Sequence, residues 1–211
     1  HAIVEGHTAT EWWLIAHERG HDRAAFNLGN AARKLGPDAI VEGHTATEWW
    51  LIAHERGHDR AAFNLGNAAY ELGPEAIVGG HTGTEWWAIA AERGDAGAAN
   101  NLGNTAYELG PDAIVEGHTA TEWWLIAHER GSAAATFNLG VIAEELGSDA
   151  IVEEHAATEW WAIAAEFGNA AAASKLAEIA EELGPDSAVE GRTAPEWRRL
   201  AGESGPSTTG F

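Results

Sequence analysis

The chain has 211 residues but no cysteine, no methionine and few basic residues. The lack of cysteine excludes disulfides and thiolate metal ligands, and the lack of methionine leads us to expect a processed product or a fragment. Lys and Arg number 12 against 33 Asp and Glu, so the formal net charge is -21 at pH 7. Such a charge repels phosphate backbones, and nucleic-acid binding is not expected. No apolar run approaches the length of a membrane-spanning helix.

An internal repeat accounts for most of the chain. Residues 2–32 are identical to residues 39–69. The string AIVEGHTATEWW or a close variant returns at a step of 37 residues, beginning at Ala2, Ala39, Ala76, Ala113, Ala150 and Ser187. A period of this length, rich in Ala and Leu, predicts stacked helix pairs in a solenoid.

One helix of each pair reads TATEWWLIAHER. Thr8 and Glu11 form the Thr-x-x-Glu capping box before an apolar run, and Gly20 predicts the end of the helix. The same box recurs at Thr45/Glu48, Thr82/Glu85 and Thr119/Glu122. Because adjacent helical residues point about 100° apart, we expect one Trp of each pair to fill the core. The other should lie between repeats or nearer the surface.

The second helix reads DRAAFNLGNAARKLG and ends at Gly36, where Pro37 blocks its continuation. Gly29 has no side chain, so a neighbouring backbone is expected to approach it closely, as at its equivalents Gly66, Gly103 and Gly140. A nine-residue link, GPDAIVEGH, returns to the next Trp-Trp helix. We expect Ile40 and Val41 of this link to pack against the stack.

The strings TEWWAIAAERG and AANNLGNTAYELG resemble the Sel-one-like branch of the tetratricopeptide superfamily. Trp86-Trp87, Ala90-Ala91 and Gly94 keep the spacing of that family, and Leu102-Gly103 follow in order. The resemblance covers essentially residues 2–202 in six phases. It implies a right-handed superhelix of antiparallel helix pairs that scaffolds protein complexes and needs no cofactor.

The sequence therefore predicts an all-α, right-handed α-solenoid over residues 1–203. Its repeats start near residues 2, 39, 76, 113, 150 and 187. The last repeat is partial, and Arg198 and Arg199 there indicate a polar cap. Residues 204–211 have the composition of a flexible tail.

A zinc-peptidase pattern, H-E-x-x-H, occurs at residues 17–21 and again at residues 54–58. The repeat register favours another interpretation. The column of His21 holds good helix N-cap residues in later copies, namely Asp95, Ser132 and Asn169. The two imidazoles would then lie on different elements, so we expect no metal site, no cofactor and no catalytic residue. A zinc metallopeptidase is the least favoured alternative.

Asparagine recurs on the second helix in two columns one turn apart. The resemblance implies that this type of helix lines a concave groove, where Asn ladders hold extended peptides. An Asn amide offers a donor and an acceptor, which match a peptide backbone. The alternative is that these amides bond neighbouring turns within the stack. The candidate peptide-binding residues are Asn27, Asn30, Asn64, Asn67, Asn101, Asn104 and Asn138.

The predicted function is a non-enzymatic scaffold for protein–protein or peptide binding through the concave helix face. The acidic surface favours a partner protein or peptide that is basic. Self-association is left open, and the alternative function is a structural subunit of a fibre or larger complex. A further column is interpreted as loop histidines packed over the helix start, at His7, His44, His81, His118 and His155.

Overall fold

A computed structural model describes residues 6–147 and 150–202, without the side chain of Asp22. Its first helices are α1 (Ala9–Glu18), α3 (Ala46–Glu55), α5 (Gly83–Glu92), α7 (Ala120–Glu129) and α9 (Ala157–Glu166). Its second helices are α2 (Asp22–Leu35), α4 (Ala61–Leu72), α6 (Ala96–Leu109), α8 (Ala133–Leu146) and α10 (Ala170–Leu183). A hairpin of β1 (Ala188–Val189) and β2 (Arg192–Thr193) precedes α11 (Ala194–Leu200). The tail predicted at 204–211 lies outside the described residues.

The chain divides into two compact units, residues 1–98 (unit 1) and 99–211 (unit 2), with the boundary inside α6. In unit 1, α2 packs against α1 and α3, and α4 packs against α3 and α5. In unit 2, α8 packs against α7 and α9, and α10 packs against α9 and α11. The predicted all-α repeat solenoid is confirmed. No helix among the described residues is long and apolar enough to cross a membrane.

The first helices begin at the predicted capping boxes. In α3, the Thr45 hydroxyl accepts a hydrogen bond from the Glu48 backbone N–H at 3.4 Å, and the Glu48 carboxylate accepts one from the Thr45 N–H at 2.8 Å. Thr8, Thr82 and Thr119 repeat this geometry. In α9 the cap is Ala156, which has no hydroxyl, so only the Glu159 half of the box remains, at 2.7 Å. These bonds satisfy N–H groups that no helix can satisfy internally.

Both tryptophans of each interior pair are buried, in two different places. Trp49 is 1% exposed, and its indole N–H donates to the carbonyl of Val41 in the link at 2.7 Å. Trp50 lies between repeats, against Gly29 of the preceding helix. A Cβ on Gly29 would lie 2.5 Å from Cδ1 of Trp50. The close approach predicted at this glycine is therefore confirmed, but the group that fills the space is mainly an indole ring.

The link between repeats is a tight turn held by two backbone hydrogen bonds. The Val41 N–H donates to the His44 carbonyl at 2.9 Å, and the His44 N–H donates to the Val41 carbonyl at 3.2 Å. Gly43 has a φ of 87°, a conformation that favours glycine. Val41 is buried as expected, whereas Ile40 is 68% exposed and the expectation for it was wrong. Successive side chains of an extended segment point to opposite sides, so only one of the two reaches the core.

The two ends of the stack are covered differently. No described residue of α1 is buried, although α3 has the same sequence and buries Ala46, Trp49, Trp50 and Ala53. At the other end, α11 covers α10 with a fully buried Trp197. Arg198 donates to the Glu181 carboxylate at 2.8 Å. The polar cap expected at this end stays a prediction.

The two glycines of α6 test the close contact directly. A Cβ on Gly103 would lie 2.5 Å from Cδ1 of Trp124, whereas a Cβ on Gly97 would first meet Asp95 Oδ1, at 3.2 Å. We expect Gly103→Ala to lower the free energy of unfolding by about 1–3 kcal/mol, because the buried ring must move. Gly97→Ala should leave it unchanged or slightly raised, because alanine is the better helix former.

Equilibrium unfolding in urea measures both variants. Equal effects at the two glycines would show that the indole contact does not limit the packing of these helices.

Candidate functional site

The asparagines of unit 1 form a hydrogen-bonded network with the second tryptophan of the following repeat. The indole N–H of Trp50 donates to Asn30 Oδ1 at 3.2 Å, and Asn64 Nδ2 donates to the same oxygen at 3.1 Å. One repeat later, the indole N–H of Trp87 donates to Asn67 Oδ1 at 2.9 Å. All of these amides are half-buried. They bridge successive helices and line the surface at the same time.

Unit 2 repeats the arrangement. The Trp124 indole N–H donates to Asn104 Oδ1 at 3.1 Å, and Asn138 Nδ2 donates to the same oxygen at 3.0 Å. Asn138 Nδ2 also lies 3.5 Å from Asn100 Oδ1. Asn101 is half-buried on α6, and its backbone carbonyl accepts from the Thr105 hydroxyl at 3.0 Å.

The tryptophan fixes the direction of every bond in this network. An indole N–H can only donate, so Asn30 must turn its oxygen towards Trp50. Asn64 must then turn its NH₂ towards that oxygen, which leaves its own Oδ1 outward. Among the described residues, neither Asn64 Oδ1 nor Asn30 Nδ2 has a further hydrogen-bond partner. The pair of Asn30 and Asn64 therefore keeps one acceptor and one donor available.

Three of the seven predicted site residues line one open cavity of about 390 Å³ between α2 and α4: Asn30, Asn64 and Asn67. The wall also includes Trp50, and the rim carries Arg33, Lys34 and Glu71. Arg33 donates to the Glu71 carboxylate at 2.6 Å. Asn27 lies elsewhere, in a cavity of about 430 Å³ with Phe26, His58 and Arg60.

The tryptophan partner of the amides was missed from the sequence, although a signal for it exists. Each second-column Asn precedes its tryptophan by the same interval, as Asn30 precedes Trp50. In the fourth repeat, Val141 occupies the Asn position, and the indole of Trp161 in the next repeat donates to the Phe137 carbonyl at 3.3 Å instead. Lys175 occupies the position on α10 that is equivalent to Asn138, and it lies over the Trp161 ring at 4.2 Å. The Trp is thus retained where the Asn is lost, and its indole takes a backbone acceptor instead.

The H-E-x-x-H strings do not bring their two histidines onto one helical face. His17 lies in the last turn of α1, and its ring contacts Trp49 edge-on at 5.1 Å, with Arg56 Nη1 3.1 Å from Nδ1. His21 is the residue before α2, as predicted. His58 stacks on Phe26 at 4.1 Å and lies before α4, which begins two residues later than expected from the cap column. The part of the chain that the structure describes contains no group of three metal-ligating side chains.

Histidines flank the first tryptophans from both sides. The His44 ring lies 4.6 Å from Trp49, and His17 of the preceding repeat lies on the same indole. Burial lowers the pKa of His17, and the nearby Arg56 lowers it further, while Glu18 opposes the shift. The pKa values of the equivalent residues are lowered for the same first reason, at His54 and His128.

Comparison with known proteins finds similarity of fold. No family model and no curated protein matches the sequence. A Sel1 repeat protein from Oxalobacter formigenes matches with a TM-score of 0.68 and 23% identity, over 92% of this chain and 77% of its own. The protective antigen c5321 of uropathogenic Escherichia coli, described as displaying an SLR fold, matches with a TM-score of 0.68 and 22% identity. That match covers 93% of this chain and 41% of c5321.

Immunity protein Pa5087 from Pseudomonas aeruginosa is also similar, with a TM-score of 0.54 and 21% identity over 91% of this chain and 72% of its own. At these identities the likeness shows the fold alone. The Sel-one-like repeat architecture expected from the sequence is confirmed at that level.

The two Asn columns should differ in their effect on stability. Asn104→Ala removes the acceptor of the buried Trp124 N–H as well as that of Asn138, and an unsatisfied buried donor costs about 1–3 kcal/mol. Asn138→Ala removes donors only, and the higher helix propensity of alanine offsets part of that loss. Urea denaturation should therefore rank Asn104→Ala as the more destabilising. The reverse order would show that the indole bond is not what the second column provides.

The depressed histidine pKa values predict loss of stability on mild acidification. Below the ordinary histidine pKa of 6.5 the unfolded chain binds more protons than the folded one. The free energy of unfolding should therefore fall as the pH falls from about 6.5 through the folded-state pKa values. The triple variant His17→Ala, His54→Ala, His128→Ala should flatten this slope, since alanine already stands in the same column at Ala91 and Ala165.

Denaturant midpoints measured between about pH 7.5 and pH 5 test this expectation. The variant His21→Ala, at an exposed position outside the Trp contacts, serves as the control. An unaltered slope in the triple variant would contradict it.

Proposed function

We propose, from the Sel1-repeat fold of this chain, that it is a non-enzymatic scaffold that binds protein segments in extended conformation. The proposed binding surface is the Asn face, the side of the second helices that carries the two Asn columns. Its residues are Asn27, Asn30, Asn64 and Asn67 in unit 1 and Asn101, Asn104 and Asn138 in unit 2. The observation that carries the proposal is the open cavity of about 390 Å³ where Asn30, Asn64 and Asn67 meet.

The remaining hydrogen-bonding groups of Asn30 and Asn64 are complementary to those of a peptide backbone. Asn64 Oδ1 can accept from a peptide N–H, and Asn30 Nδ2 can donate to a peptide carbonyl. An extended segment presents both groups at short intervals and needs no particular side chain for these bonds. Each hydrogen bond contributes about 0.5–1.5 kcal/mol net, so useful affinity requires several amides together.

The two columns have separate tasks in this proposal. The second column, Asn30, Asn67 and Asn104, is held by the indole of the next repeat and keeps the helices in register. Asn64 and Asn138 of the first column are oriented by those residues and face the ligand. An acceptor held in place before the ligand arrives costs less entropy on binding.

Electrostatics select among segments. The net charge of -21 attracts segments rich in Lys and Arg over several ångströms and speeds their association at low salt. Arg33 on the cavity rim is paired with Glu71, so it does not reverse this preference.

A peptide selection tests the proposal. Peptides are selected from a random library on the intact chain, and the affinity of the recovered peptide is measured by calorimetry. We expect the quadruple variant Asn27→Ala, Asn64→Ala, Asn101→Ala, Asn138→Ala to fold and to lose most of the affinity. N-methylation of the peptide backbone should weaken binding more than truncation of its side chains, since the amides recognise the backbone.

The matched control uses four threonines at the same repeat spacing on the first helices: Thr10→Ala, Thr47→Ala, Thr84→Ala and Thr121→Ala. This quadruple variant also replaces polar residues by alanine, and it should bind as the parent does. Retained affinity in a folded Asn variant would refute the Asn face as the binding surface.

A further inference from the structure

Aliphatic side chains recur at solvent-exposed positions along one edge of the repeats. Every second helix ends in a leucine, and these leucines are 64–71% exposed. An isoleucine of the following link is 59–68% exposed in four repeats. We call these positions the Leu–Ile edge. It consists of Leu35, Ile40, Leu72 and Ile77 in unit 1 and of Leu109, Ile114, Leu146, Ile151 and Leu183 in unit 2.

The first repeat shows that the leucine and the isoleucine belong to one surface. Leu35 and Ile40 line the same open groove, of about 280 Å³, together with Ala9 and Thr10 at the start of α1. The floor of the groove is Val41, which is buried. The groove is therefore apolar at its base and open to solvent.

The last residue of each second helix is leucine in all five copies, although the two residues before it vary. The two residues before it are Arg-Lys in α2, Tyr-Glu in α4 and α6, and Glu-Glu in α8 and α10. The leucine also remains in α10, where both Asn columns are lost. Its exposure means that it adds little to the core. A column of large aliphatic side chains in water indicates a surface that is covered by another molecule.

The charge beside the Leu–Ile edge of unit 2 indicates what kind of partner covers it. The unit 2 edge segments 107–118 and 144–155 contain eight Asp or Glu and no Lys or Arg. The corresponding unit 1 segments 33–44 and 70–81 contain four Asp or Glu together with Arg33 and Lys34. Among the described residues, Glu108 and Asp112 form no ion pair. They flank Leu109 and Ile114 and leave uncompensated negative charge beside the exposed aliphatic groups. A partner that buries these groups must bring positive charge to the rim.

We propose that the Leu–Ile edge of unit 2 docks a basic amphipathic segment of a partner protein. Its aliphatic side chains contact Leu109, Ile114, Leu146 and Ile151, and its Lys or Arg side chains meet the flanking acids. Two copies of this edge would place like charges together, and an anionic membrane surface would be repelled. This surface is separate from the Asn face, and the proposal does not depend on the function proposed above.

The probe is a model peptide of leucine and lysine at helical spacing, with the leucines on one face. A scrambled peptide of the same composition controls for charge alone, and a leucine–glutamate peptide of the same pattern controls for apolar contact alone. By calorimetry with the intact chain, we expect the patterned Leu/Lys peptide to bind about tenfold or more tightly than either control.

Variants then place the binding on the edge. Leu109→Gln, Ile114→Gln, Leu146→Gln and Ile151→Gln together should weaken the Leu/Lys peptide by about tenfold or more. These side chains are exposed, so the fold should survive, which circular dichroism verifies. The same four changes in unit 1, at Leu35, Ile40, Leu72 and Ile77, are the matched control and should have a much smaller effect. The quadruple Asn variant should bind the Leu/Lys peptide as the parent does.

Any of the following results would contradict the proposal. Unchanged binding in the unit 2 variant, or equal loss in the two units, would remove the role of the acidic edge. Sedimentation that shows a dimer of the parent, lost in the unit 2 variant, would make a second copy the occupant. Binding of anionic vesicles that the same variant abolishes would make a lipid surface the occupant.

Discussion

The stack depends on one contact, that of an indole ring with a glycine and an asparagine of the preceding helix. Trp50 lies where a Cβ on Gly29 would be only 2.5 Å away, and its N–H finds Asn30. The glycine allows the apolar contact, and the asparagine removes the cost of burying the donor. Shape and hydrogen bonding thus specify the same register. Where Val141 replaces the asparagine, the indole of Trp161 turns to a backbone carbonyl, and the contact survives with a different acceptor.

In the proposed function, this contact links stability to recognition. An amide that accepts from an indole has a fixed orientation, and it fixes the orientation of the next amide in turn. The surface amides are therefore held by the same bonds that join the repeats. A binding surface of this kind gains its order from the core and needs few additional residues to stabilise it.

Much of the fold follows from the sequence because its signals are local and repeated. Capping boxes such as that of Thr45 and Glu48, and terminal glycines such as Gly36, act within a few residues of themselves. The period then aligns them. The candidate site was harder to predict, because Asn30 and Trp50 meet only across an interface between helices. The exposure of Ile40 was missed for a related reason. Which of Ile40 and Val41 points to the core depends on the turn that the backbone hydrogen bonds between Val41 and His44 form.

The helices α1 and α3 share one sequence, ATEWWLIAHE, and one capping box, yet only α3 buries any of its residues fully. Their intrinsic helix propensities are equal, so any difference in their stability arises from neighbours alone. Local opening of α1 exposes less new apolar surface than opening of α3 does. Comparing α1 with α3 therefore separates the contribution that packing neighbours make to helix stability from the contribution of the helix sequence.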